Sequence, residues 1–284
     1  MLRQRIVTAI VLAVFFLSVL FGLPTILFSA VMALVVGYAA WEWSALAGFA
    51  GFTSRLSYVV ALLGVLALVA AFLNLDAVSV FDERIRTLLA GACTWWAIAL
   101  LWLQGYPSSA ILWGRRWLCA GMGFLVLVPT WVAISVLAHS QQGALLVLGV
   151  VLLVALADIG AFFSGRAFGR HKLAAQVSPG KTWEGLAGGL ITILLVVAPF
   201  ALYLAQGNVQ QGVQVGAWLL VAGVTGLASV IGDLLESMVK RHRGVKDSGT
   251  ILPGHGGVLD RIDSLTAALP VFTLLYSLLY PRLL

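Results

Sequence analysis

The sequence predicts an all-α, polytopic integral membrane protein with about nine transmembrane helices. Three observations carry that prediction. Hydrophobic residues make up 61% of the chain and charged residues 10%, where a soluble domain has roughly a quarter charged. Mean hydropathy is +1.04, more apolar surface than a core of this size can hide, so lipid must solvate the outside. The apolar residues also fall into runs of about 20, the length that crosses a bilayer.

Those runs are 6–22, 25–47, 57–75, 87–105, 117–138, 143–164, 184–206, 214–236 and 264–281. The first follows Arg3 and Arg5 and so imitates a secretory signal. It is longer than a signal's apolar region and no small-residue cleavage site follows, so it reads as a retained span. Gly22-Leu23-Pro24 separates it from the second run as a tight turn, which makes a helical hairpin. The third and fourth runs are joined by "NLDAVSVFDERIR", which includes Asp76, a loop acid expected to be silent. The seventh and eighth are joined by the uncharged "QGNVQQGVQ".

With the N-terminus in the cytoplasm, fourteen of the 17 Lys and Arg fall on the cytoplasmic side. Only Arg84, Arg86 and Arg282 fall on the other, the asymmetry that orients membrane proteins. The net charge of +6 then reflects cytoplasmic loops, not nucleic-acid binding. Residues 1–284 read as a single membrane domain without repeats, soluble domain or low-complexity linker, which favours a bacterial inner membrane. Cys93 and Cys119 lie in or beside apolar runs, form no spacing motif and read as small core residues. The ten Trp suit interfacial belts. Glu42, in "WEW" late in the second run, fits such a belt or the lining of a cavity, and the sequence leaves that open.

Between residues 140 and 281 every charged side chain lies in one of two cytoplasmic connections, 158–185 and 232–264. In the second, Asp233, Ser237 and Lys240 stand at i, i+4 and i+7 and share one helix face. An Asp in a span is costly in lipid and marks a functional, cavity-facing position. "KDSGTILPGHGGVLDRID" follows, with three Asp and four Gly. Its Pro253, Gly254, Gly256 and Gly257 deny it a helix and let backbone amides approach a ligand. Asp260 and Asp263 sit one turn apart as the last span begins. Three carboxylates are the hard oxygen donors Mg²⁺ prefers, while Lys240, Arg241, Arg243, Lys246 and Arg261 suit phosphates. Metal, phosphates and cations together point to phosphoryl or nucleotidyl transfer. A basic loop touching anionic lipid accounts for the Lys and Arg but not for the Asp and Gly among them.

The first connection agrees. Asp158 is an acid at a span end, and Arg166 and Arg170 each follow a glycine. Gly180-Lys181-Thr182 invites a phosphate-loop reading, which fails because the pattern needs glycine at 175 and the chain has Ala175. Lys181 remains a phosphate cation. Among the histidines only His255, held between glycines with no apolar face to rest on, reads as functional. His171 and His242 sit in basic runs and read as surface.

The run Ser237-x-Val239-Lys240-Arg241-x4-Lys246-Asp247-x-Gly249-x2-Leu252-Pro253-x-His255-Gly256-Gly257-Val258-x-Asp260-Arg261-Ile262-Asp263 resembles the signature of phosphatidate cytidylyltransferases, also called CDP-diacylglycerol synthases. Seventeen restricted positions in 27 residues match without a gap. The 158–185 stretch, the length and the opening "LRQRIVTA" resemble the family too. The resemblance implies that CTP and phosphatidate give CDP-diacylglycerol and pyrophosphate, with Mg²⁺ held by Asp233 and Asp260, in a mostly helical and commonly homodimeric fold. On that reading the catalytic set is Asp233, Asp260, Lys240, Arg241 and His255. The substrate-binding set is Asp158, Arg166, Ser178, Lys181, Glu184, Ser237, Lys246, Asp247, Gly256, Gly257, Arg261 and Asp263. The spacing of these residues does not itself read a cytosine. A CTP-dependent polyprenol or phytol kinase, or a transporter of phosphate-bearing solutes, would use similar parts. A transporter would need polar residues near the middle of several spans, and here they gather at one side.

Overall fold

A computed structural model describes residues 2–75, 77, 79–206 and 211–283, and side chains from 4 to 280 among them. Asp76 and part of the connection between the seventh and eighth runs lie outside the described residues. Ten helices and one small hairpin follow in order: α1 (Leu2–Gly22), α2 (Thr25–Ala47), α3 (Phe52–Leu73), α4 (Glu83–Gln104), α5 (Ala110–Trp113), α6 (Arg116–Ala138), α7 (Gly143–Phe168), β1 (Lys172–Ala174), β2 (Ser178–Thr182), α8 (Trp183–Leu204), α9 (Gln211–Arg243) and α10 (Leu259–Leu283). Among the described residues nine helices are long and apolar enough to cross a membrane, and they correspond one for one to the nine apolar runs. The protein is an integral membrane protein.

Local chemistry sets the ends. Pro24, with φ −55°, precedes α2 and fixes the α1–α2 turn. Gly48 ends α2 in the left-handed region at φ 94°, where its N–H returns to the last turn. Thr182 caps α8 by accepting a hydrogen bond from the Gly185 amide at 3.1 Å. The antiparallel β1–β2 pair, in register at Lys172–Thr182 and Ala174–Ser178, is a small addition to a fold that is otherwise helical, as expected. Gly169, Pro179 and Gly180 interrupt helical geometry there, and the two short strands supply each other's hydrogen bonds.

The spans assemble around α6, the most enclosed of them. Hydrogen bonds tie it to its neighbours. Trp43 Nε1 donates to Cys119 O at 2.8 Å, Tyr58 Oη to Ala120 O at 2.8 Å, Trp131 Nε1 to Ser29 O at 2.9 Å and Thr130 Oγ1 to Thr266 O at 3.0 Å. Such bonds matter in lipid, where apolar contact alone does not drive helices together. α7 and α8 approach through small residues: a Cβ on Gly188 would meet Ser164 Oγ at 1.9 Å, and one on Gly189 would meet Ala157 O at 2.7 Å. α9 and α10 cross just as closely at Gly232, where a Cβ would lie 2.4 Å from Asp263 O. That crossing brings the acid-bearing ends of the two helices together.

Both polar connections lie on one face of the bundle. Arg241 Nε reaches Val177 O in the hairpin at 3.2 Å, His242 meets the Trp113 ring with centroids 4.9 Å apart, and Arg243 donates to Leu46 O and Ala47 O at the end of α2. On the opposite face Arg86 donates to Ser277 O at 2.8 Å.

Of the boundaries that differ from expectation, two shape the site. α9 continues seven residues past the predicted end at 236, and α10 begins at Leu259, not 264. Asp260 and Asp263 therefore belong to the first turns of α10. Hydropathy places a span's edge where charge begins, whereas these helices run on because their charged side chains find partners in protein.

Candidate active site

Two lysine–carboxylate clamps organise the site. In the first, Lys181 leaves the end of β2 and its Nζ lies 2.7 Å from Asp233 Oδ2. Ser237 Oγ donates to the other oxygen of Asp233 at 3.1 Å, so the i, i+4 spacing on α9 acts as expected. The tripeptide that imitated a phosphate loop thus ends a strand, caps a helix and sends a cation to α9. In the second clamp, Lys240 Nζ lies 2.5 Å from Asp260 Oδ1 and 3.1 Å from Glu236 Oε1.

Lys240 corrects an expectation. The sequence groups Lys240 with the cations that suit phosphates, yet the residue is only 7% exposed. The extra length of α9 and the α9–α10 crossing enclose it between two acids. Glu236, which sequence reasoning missed, is 2% exposed. Its signal was available, since it lies four residues before Lys240 on the face that also carries Asp233.

The loop between α9 and α10 wraps Asp260. Its Oδ2 accepts from Ser248 N at 2.9 Å, Gly257 N at 2.8 Å and Ser248 Oγ at 3.0 Å. Gly254 and Gly256 take φ values of 75° and 81°, which only glycine adopts without strain, and a Cβ on Gly256 would lie 2.6 Å from Asp260 Oδ2. The backbone approach expected of this glycine cluster is present, and it is directed at a carboxylate of the same chain.

Asp158, on α7, and Lys181 line a cavity of about 220 Å³ with Phe162, Leu173, Leu186 and Val230, so that its lining is mostly apolar with a few polar groups. Asp158 lies within electrostatic reach of Lys181, Asp233 and Arg261, and Asp263 within reach of Asp233 and Lys240. The remaining predicted residues are more dispersed. Arg166, Lys246, Asp247 and Arg261 are exposed, and Ser178 is half-buried in the hairpin. Arg241 spans from α9 to the hairpin. Glu184 is committed locally: it accepts from the amides of Arg170 and His171 and lies 2.6 Å from His171 Nδ1, tying the hairpin to α8. His255 is half-buried beside Gly256, and its Nδ1 has no hydrogen-bond partner within the described residues.

The charges do not balance. Asp158, Asp233, Glu236, Asp260 and Asp263 gather around Lys181, Lys240 and Arg261, two more carboxylates than cations. That surplus and the hard oxygen donors fit a divalent cation such as Mg²⁺. Among the described residues no three His, Cys, Asp or Glu side chains form a cage. Mg²⁺ can bind through one or two carboxylates together with waters and substrate phosphates, so it does not require such a cage.

Residues 3–279 match the model of the cytidylyltransferase family. The chain belongs to that family. It is 43% identical over 284 residues to a phosphatidate cytidylyltransferase of Pseudomonas aeruginosa, covering 97% of each chain. It is 41% identical to one of Haemophilus influenzae, covering 97% of this chain and 99% of that one. A Staphylococcus aureus phosphatidate cytidylyltransferase shares 42% identity over 156 residues, 55% of this chain and 54% of that one.

Proposed function

We propose that this chain transfers the CMP moiety of CTP to phosphatidate, giving CDP-diacylglycerol and pyrophosphate for phospholipid synthesis. The observation that carries this reading is the end-to-end relatedness to two phosphatidate cytidylyltransferases. The clamped carboxylates and surrounding cations support it. A phosphate oxygen of phosphatidate attacks the α-phosphorus of CTP. The new P–O bond forms as the bond to the β-phosphate oxygen breaks, and pyrophosphate departs with that electron pair. The nucleophile is an ionised monoester, so no side chain need remove a proton. What remains is to hold mutually repelling anions in line and offset their charge. Lys181, Arg241, Lys246 and Arg261 supply cations, and Lys240 holds Asp260 in place. Asp233 and Asp260 would hold Mg²⁺, which when bound offsets phosphate charge and polarises the P–O bonds. The cavity beside Asp158 suits a glycerol headgroup whose acyl chains stay in lipid.

The site faces the cytoplasm of a bacterial inner membrane, a placement supported by the Lys and Arg asymmetry of the loops. The homodimer implied by the family resemblance belongs to the same proposal. The deciding experiment gives the purified chain phosphatidate, Mg²⁺ and CTP labelled separately in the cytosine, the α-phosphate and the γ-phosphate. The base and α-phosphate labels should enter the lipid extract together. Entry of the γ label alone would mean a lipid kinase and would overturn the reading.

A further inference from the structure

We infer that Glu42 is a positioning residue for Asp260, acting through Ser248 and the amino end of α10; this rests on the proposed cytidylyl transfer. Glu42 comes from α2 and is 1% exposed. Its Oε2 accepts from Leu259 N at 2.7 Å and lies 3.1 Å from Ser248 Oγ, and its Oε1 accepts from Val258 N at 3.1 Å. Those two amides open α10, where helix N–H groups have no partner of their own and a negative charge is favoured by the helix dipole. A local side chain usually serves as cap. Here the cap comes from a different span, 217 residues away.

The link to Asp260 is direct. The Ser248 hydroxyl sits between the two acids, 3.1 Å from Glu42 Oε2 and 3.0 Å from Asp260 Oδ2, with one hydrogen to give. Gly257 N goes to Asp260, and the next two amides go to Glu42. The segment that fixes the Asp260 carboxylate is thus itself suspended from Glu42. The seat is cut to size: a Cβ on Gly249 would lie 2.2 Å from Glu42 Oε1, and one on Gly257 would lie 2.4 Å from the same atom. Amides and a hydroxyl occupy both carboxylate oxygens, so Glu42 holds the apparatus and does not touch the reacting phosphates.

The test uses the full chain in lipid nanodiscs. Glu42→Gln keeps the shape but turns one oxygen into an NH₂ group facing an amide donor. Expected is a fall in kcat of about 10- to 100-fold, the usual effect of losing a ligand's supporting partner. The KM values for CTP and phosphatidate should stay close to wild type while the Mg²⁺ half-saturation rises. Without substrates, Mg²⁺ should raise the unfolding temperature of the wild type and do so less for Glu42→Gln. If Glu42→Gln does not fold, Ser248→Ala, which leaves the α10 amides capped, should give the same kcat and Mg²⁺ signature. Unchanged kcat and Mg²⁺ response in both variants would overturn the inference. So would lost stability with wild-type Mg²⁺ response in the folded fraction. A wild type that puts no cytidine into lipid would defeat the functional reading instead, and the Mg²⁺-induced unfolding shift would still decide the role of Glu42.

Discussion

Lys240→Ala tests whether the second clamp is the keystone it resembles. The substitution removes an ammonium held 2.5 Å from Asp260 and 3.1 Å from Glu236. The side chains of Lys240, Glu236 and Asp260 are 9%, 3% and 5% exposed, so water cannot readily replace it. Taking one partner from a buried ion pair costs about 3–5 kcal/mol, mostly because the charge left behind is uncompensated. Two carboxylates are stranded here, so the upper half of that range is expected. Arg241→Ala is the internal comparison. Its guanidinium donates to Val177 O and Val245 O from an exposed position, and losing such bonds should cost about 1 kcal/mol. Unfolding followed in nanodiscs with chelator present would measure both. The double variant Lys240→Ala/Asp260→Asn should be more stable than the sum of its parts by about 0.5–3 kcal/mol, because Asn removes one stranded charge. Strict additivity, or a Lys240→Ala penalty as small as that of Arg241→Ala, would refute the clamp.

Three further outcomes are expected. Asp233→Asn and Asp260→Asn should each insert and fold yet lose most turnover in the CTP assay, with phosphatidate KM nearly unchanged if, as proposed, the acyl chains stay in lipid. Gly232→Ala should destabilise the fold by about 1–3 kcal/mol through overpacking, because its Cβ would lie 2.4 Å from a backbone oxygen that no rotamer change can move; thermal unfolding checks this. In sealed vesicles, external CTP should be consumed when the vesicles are inside-out and spared when they are right-side-out, and equal use from both sides would refute the cytoplasmic placement.

The nine spans were legible because hydropathy is a local property, and lipid imposes it on every outward face. The α1–α2 turn was legible in Pro24, and the two polar connections in charge that appears nowhere else between residues 140 and 281. What escaped depends on distant partners. Hydropathy ended the eighth span at 236, but α9 continues to Arg243 because its cations bond to α2 and the hairpin. The enclosure of Lys240 needed the α9–α10 crossing, which no single helix encodes. Glu42 stayed ambiguous because one acid near a span end looks the same whether it meets headgroups or a helix cap. The hairpin was missed because three- and five-residue strands have meaning only against each other.

The tie between Glu42 and α10 also sets a timetable for biogenesis. At a synthesis rate of about 5–20 residues per second, Glu42 is synthesised roughly 10–45 s before the ribosome makes the amides it will hold, 217 residues later. Through that interval the second span carries an acid with no cap to serve. Its place near the end of α2 lets it wait at the headgroup level, where a charge costs far less than at the bilayer centre. The site therefore cannot close before α10 has been made, and a chain ending short of α10 would leave that acid uncapped.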